Sequence, residues 1–139
     1  MNIKIRNTLA EIPGASVAMI WMWYKLTEAS IMTIESISKV LAQGIGISII
    51  IIIALTIVIN IFSSIITGNY EKNIDDERDK LYELYALQLI SAIFGISIVI
   101  ILVLLGWFNL TINTGLIAIT FSGFIASIVS LFLKIFLYK

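Results

Sequence analysis

The chain contains no cysteine and no histidine, one proline, and nine basic and nine acidic residues that together make only 13% of its 139 positions. Without cysteine there is no disulfide framework and no thiol nucleophile. Without either residue, zinc sites, haem ligation and a histidine general base are excluded, and no cofactor is implied. The balanced charge, +0 in sum, removes the basic excess that phosphate recognition needs, so nucleic acid is not an expected partner. A soluble domain carries about a quarter of its residues as charges. This chain has too few to be wetted on all sides.

What fills the sequence instead is apolar. Hydrophobic residues make up 60% of it, and the mean hydropathy is +1.06. At about 20 residues per crossing, a chain of this length accommodates four membrane spans with short connections. Val40 to Ile66 carries no charge and includes Ile49-Ile50-Ile51-Ile52-Ile53. Leu84 to Trp107 is also uncharged and ends on an interfacial tryptophan. A fourth span runs from Gly115 to about Lys134. The first, over residues 8–25, is short and has Glu11 and Pro13 at its start, where a proline lacks no needed hydrogen bond. Trp21, Trp23 and Tyr24 before Lys25 mark an interface there. The alternative for this segment is a signal peptide, since Lys4 and Arg6 precede it; the bulky aromatics that follow do not form a small-residue cleavage site.

Basic residues orient the bundle. Lys4, Arg6, Lys72, Arg78, Lys80, Lys134 and Lys139 fall on one side of a four-span chain, and only Lys25 and Lys39 on the other. The positive-inside rule therefore places both termini and the charged segment 68–83 in the cytoplasm. The expected fold is all-α: an integral membrane four-helix antiparallel bundle, a single domain over residues 1–139 with spans at about 8–25, 40–66, 84–107 and 115–134. A multi-pass protein of a prokaryotic inner membrane fits the isoleucine-rich, proline-poor composition. The short turn Phe108 to Thr114 makes the last two spans antiparallel neighbours. Its Asn109-Leu110-Thr111 reads as a glycosylation sequon, although its position against the membrane makes chance the better explanation. The connection Leu26 to Ser38 has helical spacing, with Ile31, Ile34 and Ile37 against Glu28, Glu35 and Lys39. It either lies on the membrane surface or extends the second span.

The densest group of charges is Asp75, Asp76, Glu77, Arg78, Asp79, Lys80 and Glu83. Asp75 or Asp76 suits a helix N-cap, Asp76 pairs with Lys80 at i,i+4, and Arg78 reaches back to Asp75. Structurally this is the acidic first turn of the third span, suited to the helix dipole. The alternative, functional reading makes these residues a docking surface for a cytoplasmic protein. Divalent-cation binding by Asp76, Asp79 and Glu83 is a weaker alternative, because Arg78 and Lys80 oppose it, and no metal site is expected. The stretch Asp76-Glu77-Arg78-Asp79-Lys80-Leu81-Tyr82-Glu83-Leu84, with Asn7-Thr8, a long second span ending near Phe62 to Thr67 and the closing Lys134 to Lys139, resembles a family of small, uncharacterised four-helix prokaryotic membrane proteins with a central D-E-R-D motif. That resemblance implies the same architecture and, as a cytoplasmic partner, a small helix-turn-helix regulator.

Within the spans, Gln43, Asn60 and Gln88 are polar groups that hydrocarbon penalises unless they are paired, so they are expected to face the bundle interior. Ala118, Ser122, Ala126 and Ser130 repeat at i+4 in the last span, with Gly123 and Ser127 alongside. Ser91 and Gly95, and Gly44 and Ser48, do the same in the third and second. Such stripes let helix backbones approach, either inside one bundle or at the seam of a homo-oligomer. The leading functional expectation is a regulatory or scaffold protein that presents the charged segment to a partner. The alternative is a homo-oligomeric pore or small-molecule transporter lined by the three amides. A membrane enzyme is last, since only carboxylates at the inner interface are on hand for acid–base work.

Overall fold

A computed structural model describes residues 3–28, 33–67 and 77–138 and folds them into four helices: α1 (Ile3–Glu28), α2 (Ile34–Thr67), α3 (Glu77–Trp107) and α4 (Ile112–Leu137). Each expected span lies inside one of these helices, and every helix is longer than its span. The surplus is polar helix. At about 1.5 Å rise per residue, the 31 residues of α3 reach about 46 Å, well beyond a hydrocarbon core of about 30 Å. Residues 77–83, assigned from the sequence to a loop, are therefore the first two turns of α3. Ile34 to Ser38 likewise extends α2, with Thr33 accepting from the Ser36 amide at 3.2 Å as its cap. Ile31 lies outside the described residues.

Pro13 also sits differently from the expectation. Because α1 begins at Ile3, the proline is interior to the helix and not in its opening turns. Its ring cannot donate to the Leu9 carbonyl, and both residues face outward.

The turn between α3 and α4 is closed by its own backbone. Asn109 adopts a left-handed conformation, φ 53°, which asparagine tolerates better than most side chains. The Leu110 amide then donates to the Leu104 carbonyl at 3.2 Å. Thr111 caps α4 by accepting from the Thr114 amide at 3.3 Å. The outer residues of the sequon-like triplet thus each have a conformational task, one ending α3 and the other starting α4.

Contacts between α1 and α2 ascend one helix as they descend the other: Met22 meets Gly44, Gly14 meets Ile52, and Asn7 meets Asn60. In the second pair Leu105 meets Gly115, Phe94 approaches Gly123, and Ala86 meets Ser130. The two pairs join through α4, which touches α1 and α2 as well as α3. Among the described residues α3 contacts neither α1 nor α2. The main apolar cluster is Met22, Leu26, Ile37 and Leu41, against which Leu116, Ile117, Phe121 and Phe124 of α4 pack. It brings the end of α1 and the starts of α2 and α4 together. The start of α1, the end of α2, the start of α3 and the end of α4 consequently share the opposite end.

Three helices, α2, α3 and α4, are long and apolar enough to cross a membrane. Only 6% of the most apolar window of α2 and of α3 is buried, against 17% in α4. Their apolar side chains mostly face outward, which is the surface that lipid requires and water penalises. α1 does not reach the same apolarity, because Glu11, Pro13 and a set of small residues dilute it.

Candidate functional site

Two places in the molecule gather polar chemistry. The first is the end where α3 starts and α4 finishes. Asp79 is buried there, at 9% exposure, while Glu77, Arg78, Lys80 and Glu83 are exposed. The Tyr138 hydroxyl lies 3.5 Å from the Asp79 carbonyl, and the Tyr138 ring stands edge-to-face on Tyr82 at 5.3 Å. Aromatic pairs of this geometry add about 0.5–1.5 kcal/mol beyond the area they bury. One residue of the D-E-R-D motif thus faces its neighbours while those beside it face outward. Asp75 and Asp76, the expected cap residues, lie outside the described residues, as do the proposed pairs to Lys80 and Arg78. Glu77 and Asp79 do fall in the first turn of α3, where carboxylates suit the helix dipole. No three metal-ligating side chains come together among the described residues.

The three amides of the apolar runs separate. Asn60 finds the partner its polarity demands, donating to Asn7 of α1 at 3.3 Å. Gln43 and Gln88, expected to point inward, are instead exposed. Both stand near the starts of the uncharged runs: Gln43 lies three residues after Val40 and Gln88 four after Leu84. A long amide there can reach out of the hydrocarbon. The three therefore do not converge on a common lining within one chain.

The small-residue stripes divide similarly. Ala126 and Ser130 of α4 are fully buried, and Ser130 donates to the Ala86 carbonyl of α3 at 3.1 Å. Ala118 and Ser122 are half-buried, and the Ser122 hydroxyl turns back to its own helix, to Ile119, at 2.8 Å. Gly44 and Ser48 face α1, as small residues at a crossing should. Ser91 and Gly95 do not: both are exposed, and nothing lies within 4 Å of a Cβ built on Gly95. The most continuous stripe is one that the sequence reading passed over. Ala10, Gly14, Ala18, Met22 and Leu26 of α1 are all buried at i+4 spacing. A Cβ at Gly14 would overlap the Ile52 side chain and lie 3.3 Å from the Ser48 carbonyl; one at Gly44 would overlap Met22. Reading the segment 8–25 for small residues at i+4, and not only for hydropathy and aromatic belts, finds this stripe.

The second polar place is a lateral cleft of about 550 Å³. It exists because α2 and α3 do not meet. Ile45, Ser48 and Ile52 of α2 form one wall and Phe94 of α3 the other, and α1 and α4 supply the floor with Glu11, Thr120, Phe124 and Ser127 among others. Ser48 and Thr120 spend their hydroxyls on carbonyls of their own helices, Ile45 at 2.7 Å and Leu116 at 3.0 Å. Glu11 is half-buried and, among the described residues, makes no hydrogen bond or ion pair. It is the only ionisable residue of the lining.

No protein-family model matches the chain, and no significant match is found among the curated proteins or the solved structures. A functional reading rests on its own residues.

Proposed function

We propose that the chain is a multi-pass protein of a prokaryotic inner membrane, a four-helix antiparallel bundle with both termini cytoplasmic, and that it acts as a regulatory or scaffold protein docking a cytoplasmic partner at the start of α3. The carrying observation is the division of roles within the charged segment. Asp79 is buried against the end of α4, and Glu77, Arg78, Lys80 and Glu83 project from the helix it anchors. Charges that only neutralised a helix end would not need a helix continued two turns past the apolar run. A charged face of mixed sign on a rigid support suits specific recognition, because it rejects wrong partners by like-charge contact as well as attracting the right one. The orientation is supported by the gathering of Arg78, Lys80 and Lys134 at one end of the helices.

Two experiments test this. Since the chain has no cysteine, single cysteines at Arg78 and at Ile112 report sidedness cleanly; in intact cells an impermeant maleimide should label the second and not the first, and the reverse pattern refutes the orientation. For the docking role, the full-length protein is purified from native membranes in mild detergent with and without Arg78→Glu and Lys80→Glu. The charge reversals should strip a specific cytoplasmic protein while leaving the bundle folded. If every co-purifying protein stays bound, the docking reading is wrong.

A further inference from the structure

We infer that the cleft between α2 and α3 is a binding site for a hydrophobic organic cation, with the Glu11 carboxylate as its counter-ion and the apolar walls holding the rest of the molecule. The cleft is lined by none of the charged residues at the start of α3 and is independent of the docking role.

An acidic side chain facing a low-dielectric cavity is costly unless it is paired, and polar or ionisable groups in such places mark sites of function more often than sites of packing. Neighbouring hydroxyls do not provide the pairing. Ser48 and Thr120 already donate to their own backbones, so neither is committed to Glu11. Ser127 forms no hydrogen bond among the described residues and offers a further polar contact on the same floor. Among the described residues the cleft therefore presents one formal negative charge and no positive one.

Its other walls specify the rest of the ligand. Ile45, Ile52 and Leu131 are aliphatic, and Phe94 and Phe124 supply aromatic rings. Ring faces attract cations as well as apolar groups. A volume of about 550 Å³ falls within the range of small-molecule sites, about 300–1,000 Å³, which are mostly apolar with a few placed polar groups. Charge complementarity then selects among occupants of that size. A lipid acyl chain would satisfy the walls and leave the carboxylate unpaired, and an organic anion would be repelled. A monovalent cation with a bulky apolar body satisfies both. Two small residues keep the space open: Gly123, whose built Cβ would sit 3.5 Å from the Phe94 ring, and Ala15 on the floor.

The test uses full-length protein in detergent micelles and isothermal titration with tetraphenylphosphonium, with tetraphenylborate as a probe of the same shape and opposite charge. Saturable binding of the cation, about tenfold or more weakened by Glu11→Gln and largely kept by Glu11→Asp, is the expected result. Ser127→Phe, which fills the cleft and leaves the carboxylate in place, should abolish binding. It also serves where Glu11→Gln fails to fold. Tetraphenylborate should not bind. Absence of cation binding, equal binding of the two probes, or unchanged affinity in Glu11→Gln or Ser127→Phe would each overturn the proposal. Equal binding would leave an apolar groove suited to lipid.

Discussion

α1 and α3 are of similar length, yet they live in opposite surroundings. α1, with the lower apolarity, lies against both α2 and α4; α3, among the most apolar elements, touches α4 alone among the described residues. In water the order would be reversed, because burial would follow hydrophobicity. Where lipid is the solvent, an apolar side chain gains nothing by leaving it, and helices are held by close fit and by satisfied polar groups. α1 is enclosed because it is small-faced: Ala10, Gly14 and Ala18 let Ile52 and its neighbours approach the backbone, and Asn7 gives Asn60 a partner. α3 has the composition of an outer helix and is attached to α4 alone among the described residues, by contacts that include Ser130 to Ala86, the Tyr138 hydroxyl to the Asp79 carbonyl and the tyrosine pair at its start.

The largest effect should come from swapping that difference by mutation. Gly14→Leu, alone or with Gly44→Leu, places side chains where Ile52 and Met22 already sit, and overpacking of this kind costs about 1–3 kcal/mol per site. Gly95→Leu on α3 meets open space and should cost nothing comparable. Unfolding in mixed SDS micelles, followed by far-UV circular dichroism, compares the two directly. If Gly95→Leu were as damaging as Gly14→Leu, the outward face of α3 would be in contact with something, and the contrast between the helices would collapse.

A second test addresses the anchored start of α3. Asp79→Ala removes a buried polar group from a partnered site, with an expected loss of about 1–3 kcal/mol, whereas Arg78→Ala, one residue away and exposed, should stay within about 0.5 kcal/mol. The same SDS titration reads both. Equal effects would mean that Asp79 is not an anchor and that the charged segment acts as one solvated face.

Smaller still is the attachment of α3 along its length. Ser130→Ala deletes the hydrogen bond to the Ala86 carbonyl, and interhelical bonds in membrane bundles are worth about 0.6 kcal/mol on average. Ser97→Ala, whose hydroxyl serves only the Ile93 carbonyl of its own helix, is the matched control with no interhelical bond to lose. Because α4 is the one neighbour of α3 among the described residues, the Ser130 variant should also increase amide exchange in α3 selectively, and leave α1 protected.

Much of this architecture was legible in sequence because hydropathy reports what lipid sees. The uncharged runs from Val40 and from Leu84 and the apolar stretch from Gly115 each fall within an observed helix. Contacts were less legible, because hydropathy says nothing about which small residues meet. Ser91 and Gly95 match the spacing of Gly44 and Ser48, yet only the second pair faces a helix. The amides misled for a related reason: pairing was expected from polarity, but Gln43 and Gln88 lie near the starts of the uncharged runs and are exposed. As for the cleft, Glu11 stands in the sequence at the start of the first apolar stretch. Its place in a cavity depends on α2 and α3 staying apart, which no local pattern encodes.

The smallest expected effect lies at the other end of α1, where Glu28 accepts from Lys25 at 2.8 Å and from the Tyr24 hydroxyl at 2.9 Å. These bonds, the lysine first, hold the Glu28 carboxyl below the ordinary glutamate range. A carboxyl lowered on folding contributes stability above its unfolded value and loses that contribution as pH falls through the folded one. The group is fully exposed, so salt screens the pair, and the acid-side loss should be slight and confined to low ionic strength. Glu28→Gln should flatten this part of the stability–pH curve in low salt and change nothing in high salt, read from SDS midpoints between pH values above and below the glutamate range. A large loss on that substitution would show that the cluster pins the end of α1. Its enclosure would then owe as much to an exposed ion pair as to the small-residue face, and the contrast with α3 would have to be drawn at the helix ends.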